Sequence, residues 1–284
     1  MTSTASRTAE RAELIRSLGA LCERPNPTSR RISDALGVPP PDGVAYTDLF
    51  VQLLPPYASI YLDAEGKIGG DARDRIAGFW RAMRLTPPPE PDHLAALLGL
   101  WAAIIENAAD EDEKERQSLL QHAAETLLWE HLSSWLVPYL TRVPELSEPF
   151  RAWVGLLEAV IEDALDGAPS PDLPVHLAIE GRGLQGPEDL VSYLLTPIRS
   201  GLILTRADLS RAASDLKLGA RIGERAFALK SLLEQDAPAV IAWMTDEAER
   251  QADLYSSSRL APVISEVWAH RAAVTLSTTA RLDE

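Results

Sequence analysis

The stretch Glu90-Pro91-Asp92-His93-Leu94 continues through Leu97, Leu98, Trp101, Ile104 and Ile105, and its reading decides the fold. From Leu94 onward the apolar residues recur three and four apart, which is the spacing of one helical face. Pro91 biases the residue before it away from helical geometry, and Asp92 stands where an N-cap carboxylate would accept the free N–H groups of a first turn. The spacing therefore predicts a helix with one face in the core and with Asp92 and His93 at its solvent end. Capping alone accounts for the aspartate, with the histidine as an ordinary surface residue beside it.

The same periodicity extends in both directions along the chain. It predicts helices over 9–22, 29–36, 71–85 and 114–139, the last with Leu127, Leu128, His131 and Trp135 on one apolar face. Tyr46, Leu49, Phe50, Leu53 and Leu54 form a further stripe, stopped by Pro55-Pro56, after which Tyr57 and Tyr61 fall in an extended or irregular stretch closed by Gly66 and Gly69-Gly70. A helix over 150–165 ends at Asp166-Gly167 in the manner of a glycine C-cap. Helices over 188–195, 206–218, 223–233, 238–255 and 262–270 come next, and the tail from 277 is expected to fray. Runs of β-branched residues are few, so the fold class is all-α. The prolines of 168–174 mark a linker between an N-terminal module, 1–167, and a smaller helical module, 175–284.

Composition narrows the function. A chain of 284 residues with 46% hydrophobic content is long and apolar enough to bury a substantial core. Its formal net charge of −15 opposes non-specific attraction to nucleic acid or an anionic membrane and favours basic partners. A single cysteine, Cys22, excludes an internal disulfide and a multi-cysteine metal site, so the expected compartment is the cytoplasm. No apolar run reaches the ~18 residues of a membrane span. Ser29-Arg30-Arg31-Ile32 has the twin arginines of an export signal but lacks the apolar segment that should come after them.

Motifs for chemistry are sparse. Gly181-Arg182-Gly183-Leu184-Gln185-Gly186 spells the dinucleotide fingerprint after a strand-like 175–179, yet the residues beyond it read as helix upon helix, without the second strand and ribose-binding acid of a βαβ unit. The acid-rich run 106–115 reads as a solvated helix end. The five histidines are scattered singly, and no nucleophile–base pair or metal-ligand spacing is visible, so no catalytic, cofactor or metal site is predicted. On the chain's own face, His131 reads as a hydrogen-bonded core histidine. The helical hairpin over 206–233, locally basic, leaves a DNA-binding regulator as the alternative reading.

Glu90-Pro91-Asp92-His93-Leu94, followed some 35 residues later by Glu130-His131-Leu132 and Trp135 and preceded by Leu49-Phe50, Pro56-Tyr57 and Tyr61, resembles the TorD/DmsD/NarJ family of chaperones that mature molybdenum-cofactor redox enzymes. The likeness covers residues 14–165. It implies a TorD-like helical bundle, here with an additional C-terminal helical module, that binds the twin-arginine leader and the apo form of a molybdoenzyme precursor, as monomer or homodimer and without turnover. By the same resemblance the leader-binding residues are Glu90, Asp92, His93, Tyr57, His131 and Trp135. A leader joins two arginines to an apolar segment, so carboxylates beside an apolar groove form a fitting receptor.

Overall fold

A computed structural model of the protein describes residues 4–40, 42–166, 172–178, 183–221 and 223–280. Among these residues the fold is all-α. The elements are α1 Thr4–Ala20, α2 Pro27–Leu36, α3 Gly43–Tyr46, α4 Ala58–Leu62, α5 Gly70–Ala82, α6 Leu94–Asp110, α7 Lys114–Thr126, α8 Ser134–Leu146, α9 Arg151–Leu165, α10 Val175–Ala178, α11 Leu190–Leu195, α12 Pro197–Ser200, α13 Arg206–Asp215, α14 Arg225–Ser257 and α15 Pro262–Ala280. Two π-helical turns interrupt the α geometry, Thr47–Leu53 after α3 and Leu127–Ser133 between α7 and α8. No described helix is long and apolar enough to cross a membrane.

Several helix ends are set by local chemistry. Asn26 starts α2 with a capping box to Ser29, and Gly37, at φ 67°, ends it in the left-handed conformation. Thr205 and Asp208 form the same box at α13. Four expectations need correction. The stretch holding Tyr61 is not extended: α4 forms between Pro55-Pro56 and Gly66, and Tyr61 is 1% exposed in the core. The strand-like 175–178 is a helical turn begun after Pro174. The segments 223–233 and 238–255 join into α14 across a non-helical Asp236, and the helical backbone of α15 runs to Ala280. The glycine cap at Gly167, residues 168–171 of the linker, and Gly181 and Arg182 of the fingerprint lie outside the described residues.

One continuous apolar core runs from Ala12 in α1 to Ala272 in α15. At its centre Tyr61 stacks on Trp135, with centroids 5.3 Å apart and planes 7° from parallel, and Tyr139 meets both edge-on. Buried aromatics with polar tips need partners, and four of them find main-chain carbonyls. Tyr61 donates to Pro55 O, Tyr139 to Leu54 O, Trp135 to His131 O and Trp153 to Leu18 O.

Helix α8 carries Pro138 in its interior. A proline there has no N–H for the carbonyl four residues back, which is Ser134. Trp268 of α15 supplies the missing donor, Nε1 to Ser134 O at 2.9 Å.

A second long-range tie is ionic. Arg142 of α8, 1% exposed, donates to both oxygens of Asp208 at 2.7 Å and also to Glu145. Asp208 accepts from Thr205 as well, while Arg211, Arg250, Glu247 and Gln251 extend the network. Burial pushes the Asp208 carboxyl up, but Arg142 and the Thr205 hydrogen bonds hold it below the usual carboxylate range. In Asp208→Asn the buried guanidinium loses its main counter-charge, and we expect a loss of about 3 kcal/mol, read from the urea midpoint. An unchanged midpoint would show that Glu145 suffices alone.

Candidate functional site

The Glu90–Leu94 loop is pinned from beneath. Ala58 N donates to Asp92 O at 3.0 Å and Leu94 N to Pro56 O at 2.8 Å, which makes an isolated antiparallel bridge of Tyr57 with His93. Asp92 is 1% exposed, and its Oδ2 accepts from the Ser59 hydroxyl at 2.5 Å and the Ser59 N–H at 3.3 Å. Ser59 Oγ accepts in turn from Gly69 N. Behind this turn, Gly70 sits at φ 73°, where a Cβ would lie 2.4 Å from Asp63 Oδ2, so only glycine fits.

These contacts correct two expectations. The N-cap of α6 is His93, whose Nδ1 accepts from Ala95 N at 3.1 Å, and not Asp92. Asp92 faces the interior rather than solvent, because Ser59 claims its carboxylate. Accepting at Nδ1 requires an unprotonated nitrogen there. Burial lowers the His93 pKa accordingly, against the opposing pull of Glu90.

The accessible edge of the loop consists of exposed Glu90 and half-buried Tyr57 and His93. The Tyr57 and His93 rings meet edge-on at 4.9 Å. Burial first, and then the Glu90 carboxylate, raise the Tyr57 hydroxyl well above its ordinary pKa. The edge thus pairs one carboxylate with two uncharged rings at neutral pH.

His131 and Trp135 lie inside. Trp135 is 0% exposed in the aromatic stack. His131, on the second π turn, packs edge-on to Phe79 at 5.3 Å and to His176 at 6.2 Å. Arg75 Nη2 meets His176 Nδ1 at 3.0 Å. Burial and the neighbouring Arg75 push His131 down to about 4 and His176 to about 3, with His131 adding to the shift of His176.

A larger concavity lies along α7, α9 and the start of α15, with a volume of about 980 Å³. Leu128, Trp129, Leu165 and Val263 give it apolar walls, and Glu125, Glu130, Glu162, Asp163, Asp166 and Asp172 ring it, with Arg259 as the one Lys or Arg among the lining residues. A second cavity of about 410 Å³ shares Glu125, Leu128 and Ala164 with it and reaches α1 and α6. The π turn shapes the wall: Leu127, His131 and Leu132 stay buried while Trp129 and Glu130 turn toward the groove. Both grip the segment leading into α10, Trp129 Nε1 donating to Asp172 O and Glu130 Oε2 accepting from Val175 N. Burial raises the Glu130 carboxyl despite that hydrogen bond. Residue patterns do not reveal this groove, nor the parts played by Ser59, Arg75 and His176. The one local signal of the groove is Glu162 and Asp166 flanking Leu165 at helical spacing.

Residues 43–140 match the nitrate reductase delta subunit family. This family of NarJ/TorD-type chaperones supports the resemblance carried by Glu90–Leu94 and Glu130–Trp135. It is a family of redox-enzyme maturation chaperones that bind molybdoenzymes, and it is not catalytic. The matched segment opens at α3, contains the pinned loop and both π turns, and ends inside α8. No curated protein matches the chain, and no solved structure matches it.

This geometry has two testable outcomes. Asp92→Ala removes the acceptor for the Ser59 hydroxyl and N–H, and should lower stability by about 1–3 kcal/mol in urea unfolding. A change of only a few tenths would mean that the backbone bridge alone holds the loop. The histidines titrate near pH ~6.5 in the unfolded chain but stay neutral when folded, so the unfolded state binds more protons below that pH and stability falls on acidification. His131→Gln/His176→Gln should flatten the dependence of the urea midpoint on pH between about 6.5 and 4; an unchanged slope would assign the acid sensitivity to other groups.

Proposed function

We propose that the protein is a cytoplasmic chaperone that binds the twin-arginine leader and the apo form of a molybdenum-cofactor oxidoreductase and holds them until cofactor insertion. The observation that carries this reading is the rigid Glu90–Leu94 loop, with Glu90, Tyr57 and His93 on its open edge, inside the segment that matches the chaperone family. Glu90 is the exposed carboxylate that receives an arginine of the leader, and the Tyr57 and His93 rings supply faces for guanidinium and apolar contact. Asp92, His131 and Trp135 are buried and support the edge only through other residues. Asp92 fixes the loop through Ser59, Trp135 stacks on Tyr61 of the same helix as Ser59, and His131 packs on Phe79 and His176.

Such binding involves no bond making. Apolar leader residues lose water while arginines pair with carboxylates at the rim, and the acidic chain speeds the encounter with a basic segment. The test is capture of partners from the native cytoplasm, identified by mass spectrometry, with a leader-deleted precursor as control. A molybdoenzyme precursor should be retained and should be lost with its leader. Glu90→Gln/His93→Ala should weaken leader affinity about tenfold in calorimetry. Retention of the precursor without its leader, or undiminished affinity in the folded double variant, would refute leader recognition at this edge.

A further inference from the structure

Helix α10 and the residues just before it lie outside the family-matched segment, yet Arg75, Trp129, Glu130 and His131, on which they rest, lie inside it. Three ties reach the main chain of residues 172–178. Trp129 Nε1 donates to Asp172 O at 2.9 Å, Glu130 Oε2 accepts from Val175 N at 2.8 Å, and Arg271 Nη2 donates to Leu177 O at 2.8 Å. Such contacts hold a chain without reading its sequence. Sequence enters through Pro174, His176 and Leu177, which are buried, while Asp172, Val175 and Ala178 stay exposed. Departures from α geometry to the π form recur at functional sites, and Trp129, Glu130 and His131 all belong to the second π turn.

The inward histidine is poorly matched to its place. Arg75 Nη2 stands 3.0 Å from His176 Nδ1, and a guanidinium only donates, so Nδ1 accepts and Nε2 carries the ring proton. That N–H is buried without an acceptor among the described residues, and the buried His131 Nδ1 has no partner either. The two residues are 3% and 9% exposed. Arg75, an exposed residue reaching in, has no carboxylate within ion-pair distance among the described residues. Asp63 acts on His176 from nearby, but its oxygens accept from Glu65 N and Ala72 N. A neutral ring therefore stands where a carboxylate would bind Arg75 more strongly.

We propose that residues 172–178 are an autoinhibitory plug: they occupy a polypeptide seat on α5 and the second π turn, and a client segment with a carboxylate in the place of His176 displaces them. The displacing chain repeats the main-chain ties, sets its carboxylate on Arg75 and puts an aliphatic side chain where Leu177 lies. The exchange adds a charge-assisted hydrogen bond and removes an unmatched buried donor. This ligand is acidic and apolar, unlike the basic leader assigned to the Glu90–Leu94 edge. The chain's net negative charge slows its approach without altering its fit at Arg75. Because the plug is tethered, it competes at a high effective concentration and keeps poorly matched segments out. The name of client rests on the chaperone reading, but the plug is tested apart from it.

Amide hydrogen exchange in the full chain reads the plug directly. The N–H groups of Val175, Leu177 and Ala178 are hydrogen-bonded, and they should exchange by local opening, at least about tenfold less protected than Leu140 in the core of α8. His176→Ala should lower their protection about a further tenfold with Leu140 unchanged, and His176→Asp, which gives Arg75 its carboxylate, should raise it about tenfold. Glu130→Gln serves as a second loosening variant if His176→Ala does not fold, and should release Val175 first. Protection of all three amides equal to that of Leu140, or a His176→Asp chain that opens as readily as the wild type, overturns the proposal. The seat is probed by calorimetry with a synthetic peptide copying residues 172–178 and carrying the His176→Asp change. It should bind the His176→Ala chain about tenfold more tightly than the wild type, and more tightly than a copy that keeps the histidine. Equal affinity for both chains, or equal affinity of both peptides, overturns it as well. If exchange and peptide binding follow these expectations while no molybdoenzyme precursor is captured, the chaperone reading fails and the plug stands. A precursor bound as tightly by His176→Asp as by His176→Ala refutes autoinhibition and leaves the chaperone reading intact.

Discussion

A carboxylate in a protein interior must find hydrogen bonds, because an unpaired buried charge is far more costly than the contacts it displaces. Asp92 meets this demand at Oδ2 through Ser59, and that pairing organises the loop, while its buried Oδ1 has no hydrogen-bond partner among the described residues. Ser59 sits in α4, whose Tyr61 belongs to the central aromatic stack, and it also receives Gly69 N from the turn into α5. One acid thus joins α4, the start of α5 and the entrance of α6. The bridge of Tyr57 to His93 forms where these pieces meet, and it fixes which side chains remain outside: Glu90, Tyr57 and His93. A ligand meeting this edge finds an arranged surface and loses little further freedom in ordering it.

The helices beyond residue 200 complete the body that precedes them. Pro138 deprives Ser134 O of its helical donor, and the donor comes from Trp268. Arg142 would be an isolated buried cation without Asp208. Both needs arise in α8, at or just beyond the end of the family-matched segment. Packing of α13 and α15 against α8 is therefore polar and directional as well as apolar, which sets the register of those helices. Two cations of the α13–α14 hairpin are engaged in the same way: Arg211 pairs with Asp208 and Glu247, and Arg225 donates to Leu204 O. Those two serve internal contacts, while Arg206, Lys217, Arg221 and Lys230 stay exposed.

Much of this is legible from residue spacing. The all-α class and the approximate positions of α6, α7, α9 and α13 emerge from apolar periodicity, since tertiary packing here agrees with the local pattern. The cap of α6 is not legible. Local preference selects Asp92 over His93, but Ser59, 33 residues away, competes for the aspartate and leaves capping to the histidine. The short helix α4 escapes a periodicity reading because five residues between a proline pair and a glycine are too few to show a period. Val175 and Leu177 alternate as in a strand, yet no neighbouring strand exists among the described residues to pair with them. Family likeness locates the Glu90–Leu94 loop; it carries no information on which of its side chains faces out.

The two candidate surfaces use negative charge differently. At the loop the buried acid is turned inward, with Oδ2 bound to Ser59, and the outward face offers a single carboxylate beside two uncharged rings. In the groove Glu162, Asp166 and Asp172 have no ion-pair partner among the described residues, so the field there is longer in range and more sensitive to salt.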